Sequence, residues 1–258
     1  MSLDPPAAPC DLWAALRRSL RPPALRWLEE SCEAVVQDPP AIRVAFALAA
    51  RKVGRALLDP GAEPGDLHAW TVDDAARAAL LVALGDRVGE ELGELYRFAD
   101  AQERRAILRT LAFLELGEAA RPLVEDALRT NDPRLIAAAL GPYGARYLDD
   151  AAFAQAVLKC VFLGIPISPL RGLAERATPE LARMLAGYVH ERVAAGRDVT
   201  EEVWQVIDRF HPLEELKAIA AELDSPVEGR RQAARRAFAG RASAFEEGRC
   251  ASSTRTST

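Results

Sequence analysis

Apolar residues recur along this chain at the three- and four-residue intervals of helices that bury one face. Leu12, Leu16 and Leu20 make the first stripe. Pro22-Pro23 open a second helix with Leu25, Leu28, Cys32 and Val35 on one side, and Asp38-Pro39-Pro40 break it. The pattern predicts a third helix over 42–58, so apolar across 44–50 that it is expected to be buried all round. Pro60-Gly61 and Pro64-Gly65 then mark a loop ending near Trp70.

From Thr71 the segments shorten, with helices predicted over 73–84, 87–99, 101–116, 118–128, 133–140 and 149–163. Gly141-Pro142-Tyr143-Gly144 reads as a turn. Thr178-Pro179 supplies a cap hydroxyl before a proline at the first helical position. Ser225-Pro226-Val227-Glu228 reads as a capping box, and His211-Pro212 opens the helix carrying Leu213, Leu216, Ile219 and Leu223. Gly196 and Gly240 are placed to stop helices. The predicted fold is all-α: a HEAT-like or irregular α-solenoid of helix pairs, without a strict repeat period and with no sheet. One helical domain is expected over 11–239, between a flexible N-terminus (1–10) and a disordered tail (240–258) rich in Ser, Thr and Arg.

Composition agrees with helix. Half the residues are hydrophobic, only 6% are aromatic, and alanine and leucine dominate. Lys52, Lys159 and Lys217 are the three lysines among 33 basic residues, the habit of a GC-rich bacterial genome. The net charge of −5 argues against a nucleic-acid partner, which would demand concentrated positive charge. Cys10, Cys32, Cys160 and Cys250 are scattered and do not cluster with His68, His190 or His211, so neither a zinc site nor a disulfide framework is expected. No basic n-region and apolar h-region begin the chain, and no apolar run approaches the roughly 20 residues of a membrane span. A soluble, cytoplasmic protein is expected, at most peripheral to the inner membrane.

Polar residues inside apolar helical pattern carry the candidate chemistry. Gln155 and Lys159 share one helical face with Phe162, while Val157, Cys160 and Val161 point elsewhere. They either line a cleft, with Lys159 binding a carboxylate or phosphate, or lie at a helix edge where the lysine stem covers apolar surface. Leu181, Leu185, Tyr188 and Arg192 form the core-facing stripe of the helix after Thr178, with Arg183 and His190-Glu191 on other faces. HExxH fails here, because the residue three beyond Glu191 is Ala194. An Arg–Glu network between helices therefore competes with any metal reading. No GxSxG, Cys–His arrangement or phosphate-cradling glycine loop appears, so no catalytic residue, metal or cofactor is assigned. An arginine-rich amphipathic segment, 227–245, could touch an anionic surface or act as a solvated terminal cap.

The ordered block Arg129-Thr130-Asn131, Phe153, Gln155, Val157-Leu158-Lys159, Gly172-Leu173, Glu175-Arg176, Pro179 to Leu185, Tyr188, His190-Glu191-Arg192, Ala195-Gly196-Arg197 and Trp204 resembles the EboA family. Phe46, Arg51, Gly54, Trp70, Ala75-Ala76-Arg77 and Leu80-Leu81 resemble its first half. Family members have Asn-Pro-Tyr where this chain has Gly141-Pro142-Tyr143, and tryptophan where Phe153 stands. The resemblance implies a metabolite-traffic protein of a secondary-metabolite gene cluster. Its implied partners are a small-molecule precursor and other cluster products, among them a membrane prenyltransferase-like protein and metal-dependent hydrolase-like enzymes. On this reading the candidate ligand-binding residues are Arg129, Asn131, Gln155, Lys159, Arg176, Arg183, Tyr188, His190, Glu191, Arg192 and Arg197. Two alternatives stay open: an enzyme using Lys159 or Glu191 as acid or base, and a scaffold that docks a membrane enzyme.

Overall fold

The structure is a computed structural model and describes residues 8–241. Most of the expected N-terminal arm and nearly all of the expected tail, with Phe245, lie outside the described residues. Among the described residues every regular element is helical and none is a strand. The described residues divide into two compact units, with the division between Leu148 and Asp149.

The first unit holds α1 (Pro9–Ser19), α2 (Pro22–Gln37), α3 (Ile42–Val53), α4 (Val72–Ala83), α5 (Val88–Phe98), α6 (Ala101–Thr110), α7 (Arg121–Arg129), α8 (Pro133–Ala139) and α9 (Pro142–Tyr147). Its centre is α4, against which α1, α2, α3 and α6 pack. Every residue of α4 from Val72 to Leu81 is buried, Asp73, Asp74 and Arg77 included. The helix expected to be buried all round was α3, and that expectation is corrected: only Ile42, Phe46 and Ala49 of α3 are buried, and Val44 is 64% exposed. Alanine and valine fill a half-covered face as well as a core, so apolarity alone did not separate the two.

α3 also stops at Val53, short of residue 58. Gly54 takes φ 86°, a left-handed value open to a residue without Cβ, and the helix cannot continue through it. Residues 56–58 then run beside 70–72, with the Leu58 amide donating to the Trp70 carbonyl (2.8 Å) and Val72 to Ala56 (2.9 Å). This is one isolated bridge, Leu57 to Thr71, and closes the loop onto the start of α4.

Charged side chains hold that closure. Asp74 belongs to a capping box with Thr71 and receives Arg105 (3.0 Å) and Arg109 (2.7 Å) from α6. Arg109 also donates to the Ala69 and Leu67 carbonyls, each at 2.7 Å, and lies over the Trp70 ring. Arg77 pairs with Asp73 one turn away (2.7 Å) and donates to the Phe46 carbonyl (3.1 Å), tying α4 to α3. Buried ions are tolerated when each is paired and hydrogen-bonded, as these are.

Three further expectations change. Gly141 to Gly144 is not a bare turn, because α9 begins at Pro142. The Tyr143 hydroxyl donates to the Gly117 carbonyl (2.6 Å) and accepts from the Ala120 amide (3.1 Å), fixing α9 to the preceding connection. The predicted helices over 101–116 and 118–128 each contain a 3₁₀ turn: α6 gives way at Leu111–Phe113, and Gly117–Ala120 precedes α7. Finally, the capping box at Ser225 does not form. α15 starts at Glu228, and the Ser225 hydroxyl accepts only the Val227 amide, at 3.4 Å.

The second unit holds α10 (Asp150–Leu163), α11 (Leu173–Arg176), α12 (Pro179–Ala194), α13 (Trp204–Phe210), α14 (Leu213–Ala221) and α15 (Glu228–Ala237). α12 is its axis, contacted by α10, α13, α14 and α15. The Thr178 hydroxyl accepts the Leu181 amide (3.2 Å) and Pro179 opens the helix, as the sequence predicts. Leu181, Ala182, Leu185, Ala186, Val189 and Val193 are fully buried, together with Val157, Cys160, Ile207, Leu216 and Ile219. Each large side chain so buried contributes roughly 1.5–3 kcal/mol.

Candidate functional site

α10 is fixed at both ends. Asp149 caps it by accepting the Ala152 amide (2.7 Å), and Gly164 ends it in the left-handed region at φ 69°, with the Ile165 amide donating back to Cys160 (2.9 Å). Between them Phe153, Ala156, Val157, Cys160 and Val161 are buried. Gln155 and Phe162 are exposed, and Lys159 lies half-buried between the two faces. Phe162 stays 59% exposed although its ring meets Tyr188 of α12 edge-to-face, centroids 5.0 Å apart. Leu163 beside it is 38% exposed. Edge-to-face pairs are favourable by about 0.5–1.5 kcal/mol, so Tyr188 holds the Phe162 ring in a set orientation while one side faces solvent. The outcome is an open ledge: an amide at Gln155, a half-buried ammonium at Lys159, and the Phe162 ring backed by the buried Tyr188.

Burial raises the Cys160 thiol to about 12, with Lys159 acting in the opposite sense. The thiol is therefore protonated at neutral pH and is no nucleophile.

The other expected residues go elsewhere. Arg183 lies five residues from Tyr188, about 140° round the helix, and pairs with Glu180 on its own surface. His190 Nε2 stands 3.8 Å from Glu222 Oε1, which is equally far from Arg230. Glu222 thus stands between His190 and Arg230, whereas Glu191 is exposed. Arg192 does not complete the buried stripe. It is half-exposed, and its guanidinium donates twice to the Asp198 carbonyl (3.0 and 2.8 Å), closing the turn after α12. Arg197 is exposed in that turn. Arg176 pairs with Asp150 (2.7 Å) and lies over Phe153, 4.4 Å from the centroid, bracing α11 on α10.

Arg129 and Asn131 belong to the first unit and are exposed there. Arg129 approaches only Asp126 on its own helix, at 3.9 Å. Of the eleven expected residues, Gln155 and Lys159 share the α10 face with Phe162, and Tyr188 meets the Phe162 ring.

An open cleft of about 520 Å³ lies in the first unit, lined in part by Phe113, Leu114, Glu115, Arg146 and Tyr147. None of the eleven residues lines it. Among the described residues no group of three or more His, Cys, Asp or Glu is placed to hold a metal ion, and no helix is long and apolar enough to cross a membrane.

Sequence reasoning missed the buried charges of the first unit. The signal was present as charged residues four apart on one helical face: Asp73 with Arg77 in α4, and Arg105 with Arg109 in α6. It also missed Glu222 and Arg230, whose meeting with His190 depends on the packing of α12.

A family model described as metabolite traffic protein EboA matches residues 11–208. No curated protein and no solved structure matches the chain.

Proposed function

The chain belongs to the EboA family, and from that membership together with the α10–α12 ledge we propose that it is a non-catalytic metabolite-traffic protein. It holds a small-molecule precursor of a secondary-metabolite cluster on that ledge and passes it toward the cytoplasmic membrane. The observation that carries the reading is the half-exposed Phe162 ring set edge-on against Tyr188, one turn from Lys159. Aromatic faces take an apolar or unsaturated skeleton, and the ammonium takes a carboxylate or phosphate on it.

Partners in this reading are the other cluster products, including a membrane prenyltransferase-like protein. Stacked helix pairs of the HEAT kind within each unit belong to the same proposal. A second reading has one observation of its own: Phe162 and Leu163 are exposed on an open surface, which suits a docking scaffold for a partner enzyme. Lys159→Ala distinguishes the two, since it removes the anion contact and leaves the apolar surface in place. Loss of a co-purifying small molecule supports the carrier. Retention of a partner enzyme by an otherwise empty protein supports the scaffold.

A further inference from the structure

In the arginine-rich segment that α15 opens, four of the five arginines among the described residues face carboxylates of the protein, and Arg235 is exposed. Arg230 stands 3.8 Å from Glu222, Arg231 pairs with Glu228, and Arg236 pairs with Asp198 at 2.6 Å. Arg241 pairs with Glu201 and lies over the Trp204 ring. A cation already neutralised by a neighbouring carboxylate gains little from an anionic surface. Ala233, Ala234, Ala237 and Phe238 are buried, so α15 presents no apolar face to solvent either. This helix is a cap.

The opposite condition holds at the ends of α1 and α3. Arg17, Arg18 and Arg21 follow one another at the α1–α2 junction, and Arg51, Lys52 and Arg55 at the end of α3. All six are exposed, and none is in an ion pair among the described residues. The fold places the two groups at one end of a helix pair: α2 and α3 pack together across the short connection 38–41, so the start of α2 lies beside the end of α3, and the Ser19 hydroxyl, which donates to Ala15 (2.9 Å), is 3.4 Å from the Leu58 carbonyl. Arg18 and Arg21 flank Ser19, and Arg55 lies three residues before Leu58. Asp59, the nearest carboxylate in sequence, accepts the Gly61 amide (2.9 Å).

Six cations gathered at one end of a chain of net charge −5 form a strong local asymmetry. Helix-dipole stabilisation accounts for one or two cations in a last turn, not for two adjoining helix ends. Trp13 lies half-buried one turn before Arg17, whose guanidinium is 5.7 Å from the indole centroid. An indole beside arginines on an exposed helix is the pairing found at bilayer interfaces.

We propose that this face, Trp13 with Arg17, Arg18, Arg21, Arg51, Lys52 and Arg55, docks the protein on an anionic lipid bilayer. The cations spread over two helix ends, which suits a flat array of phosphate headgroups rather than one small anion. Docking by charge alone is reversible and salt-sensitive. It rests on charge and placement in the first unit, and stands whether or not the α10–α12 ledge binds a metabolite.

The test is co-sedimentation of the full chain with phosphatidylcholine vesicles, with and without phosphatidylglycerol, at low and high salt. Binding is expected only to the anionic vesicles and is expected to vanish at high salt. Arg51→Gln/Lys52→Gln/Arg55→Gln should lower the partition coefficient at least about tenfold. Arg230→Gln/Arg235→Gln on α15 should change it less than about twofold. All five positions are at the surface, and circular dichroism confirms that each variant folds. Equal binding to neutral and anionic vesicles overturns the proposal. So does anionic binding that survives the triple substitution, or that falls as far with the α15 variant. Absence of vesicle binding, with the patch instead needed to retain an acidic protein, also overturns it.

Discussion

Arg109 and Asp74 meet at 2.7 Å in the interior of the first unit, and the same guanidinium grips the carbonyls of Leu67 and Ala69. One side chain thus joins α6, α4 and the loop between α3 and α4. Burial pulls the Arg109 guanidinium down from its usual value while Asp74 raises it, and it stays charged at any physiological pH. Asp74→Asn should cost about 3–5 kcal/mol in denaturant unfolding, because the arginines lose their counter-charge while buried. Asp74→Leu/Arg109→Met should cost less than the two single losses added together. Additive losses would mean that the two residues do not act as a pair.

His68 sits in that loop with Nε2 buried and unpartnered, and burial lowers its pKa, assisted by Arg109 and opposed by Asp66. Its folded pKa lies below the ordinary 6.5, so the unfolded chain takes up a proton first as pH falls. The stability it contributes is present above pH 6.5 and is lost as pH drops through the folded value. The wild-type melting temperature should therefore fall on acidification from neutrality, and His68→Gln should flatten that slope. An unchanged slope in the variant would remove His68 from the account.

Cys32 and Cys160 are buried, and desolvation lifts both thiols to about 12, whereas Cys10 is exposed. Alkylation under native conditions, read by peptide mapping, should mark Cys10 within minutes and leave Cys32 and Cys160 unmodified until denaturant is added. Prompt labelling of Cys160 would contradict the packing of α10 against α12.

Gly144 is needed for its lack of a side chain: a Cβ there would stand 1.9 Å from the Ala139 carbonyl oxygen. Gly144→Ala should destabilise the first unit by at least about 2 kcal/mol. Gly93, inside α5 with nothing within 4 Å of an added Cβ, gives the contrast. There alanine should stabilise by roughly 0.5–1 kcal/mol. A neutral Gly144→Ala would show that α9 can move away from α8.

How far the sequence could be read depended on whether each signal was local. Caps and breakers were, so Thr178-Pro179, Pro22-Pro23 and Asp149 mark helix starts that the structure reproduces. Gly54 broke α3 early because its left-handed backbone outweighed the apolar pattern beyond it. Burial was less legible. α3 and α4 are both rich in alanine, with four and five of twelve residues, and only tertiary packing put α4 at the centre with its acids inside. The ledge was half legible: spacing placed Gln155, Lys159 and Phe162 on one face, but the meeting of Phe162 with Tyr188 requires the α10–α12 packing. Arg192 and Arg176 were read as ligand candidates because a polar residue bracing a turn or a helix looks the same in one dimension as one awaiting a ligand.

The central claim is that the α10–α12 ledge holds a metabolite. The most direct measurement is mass spectrometry of small molecules retained by the natively purified protein, compared across wild type, Lys159→Ala, Phe162→Ala and the first-unit control Arg129→Ala. The account predicts one retained compound carrying a carboxylate or phosphate on an apolar skeleton, lost with Lys159 or Phe162 and kept with Arg129. A compound retained equally by all four proteins, or none in wild type, would contradict it.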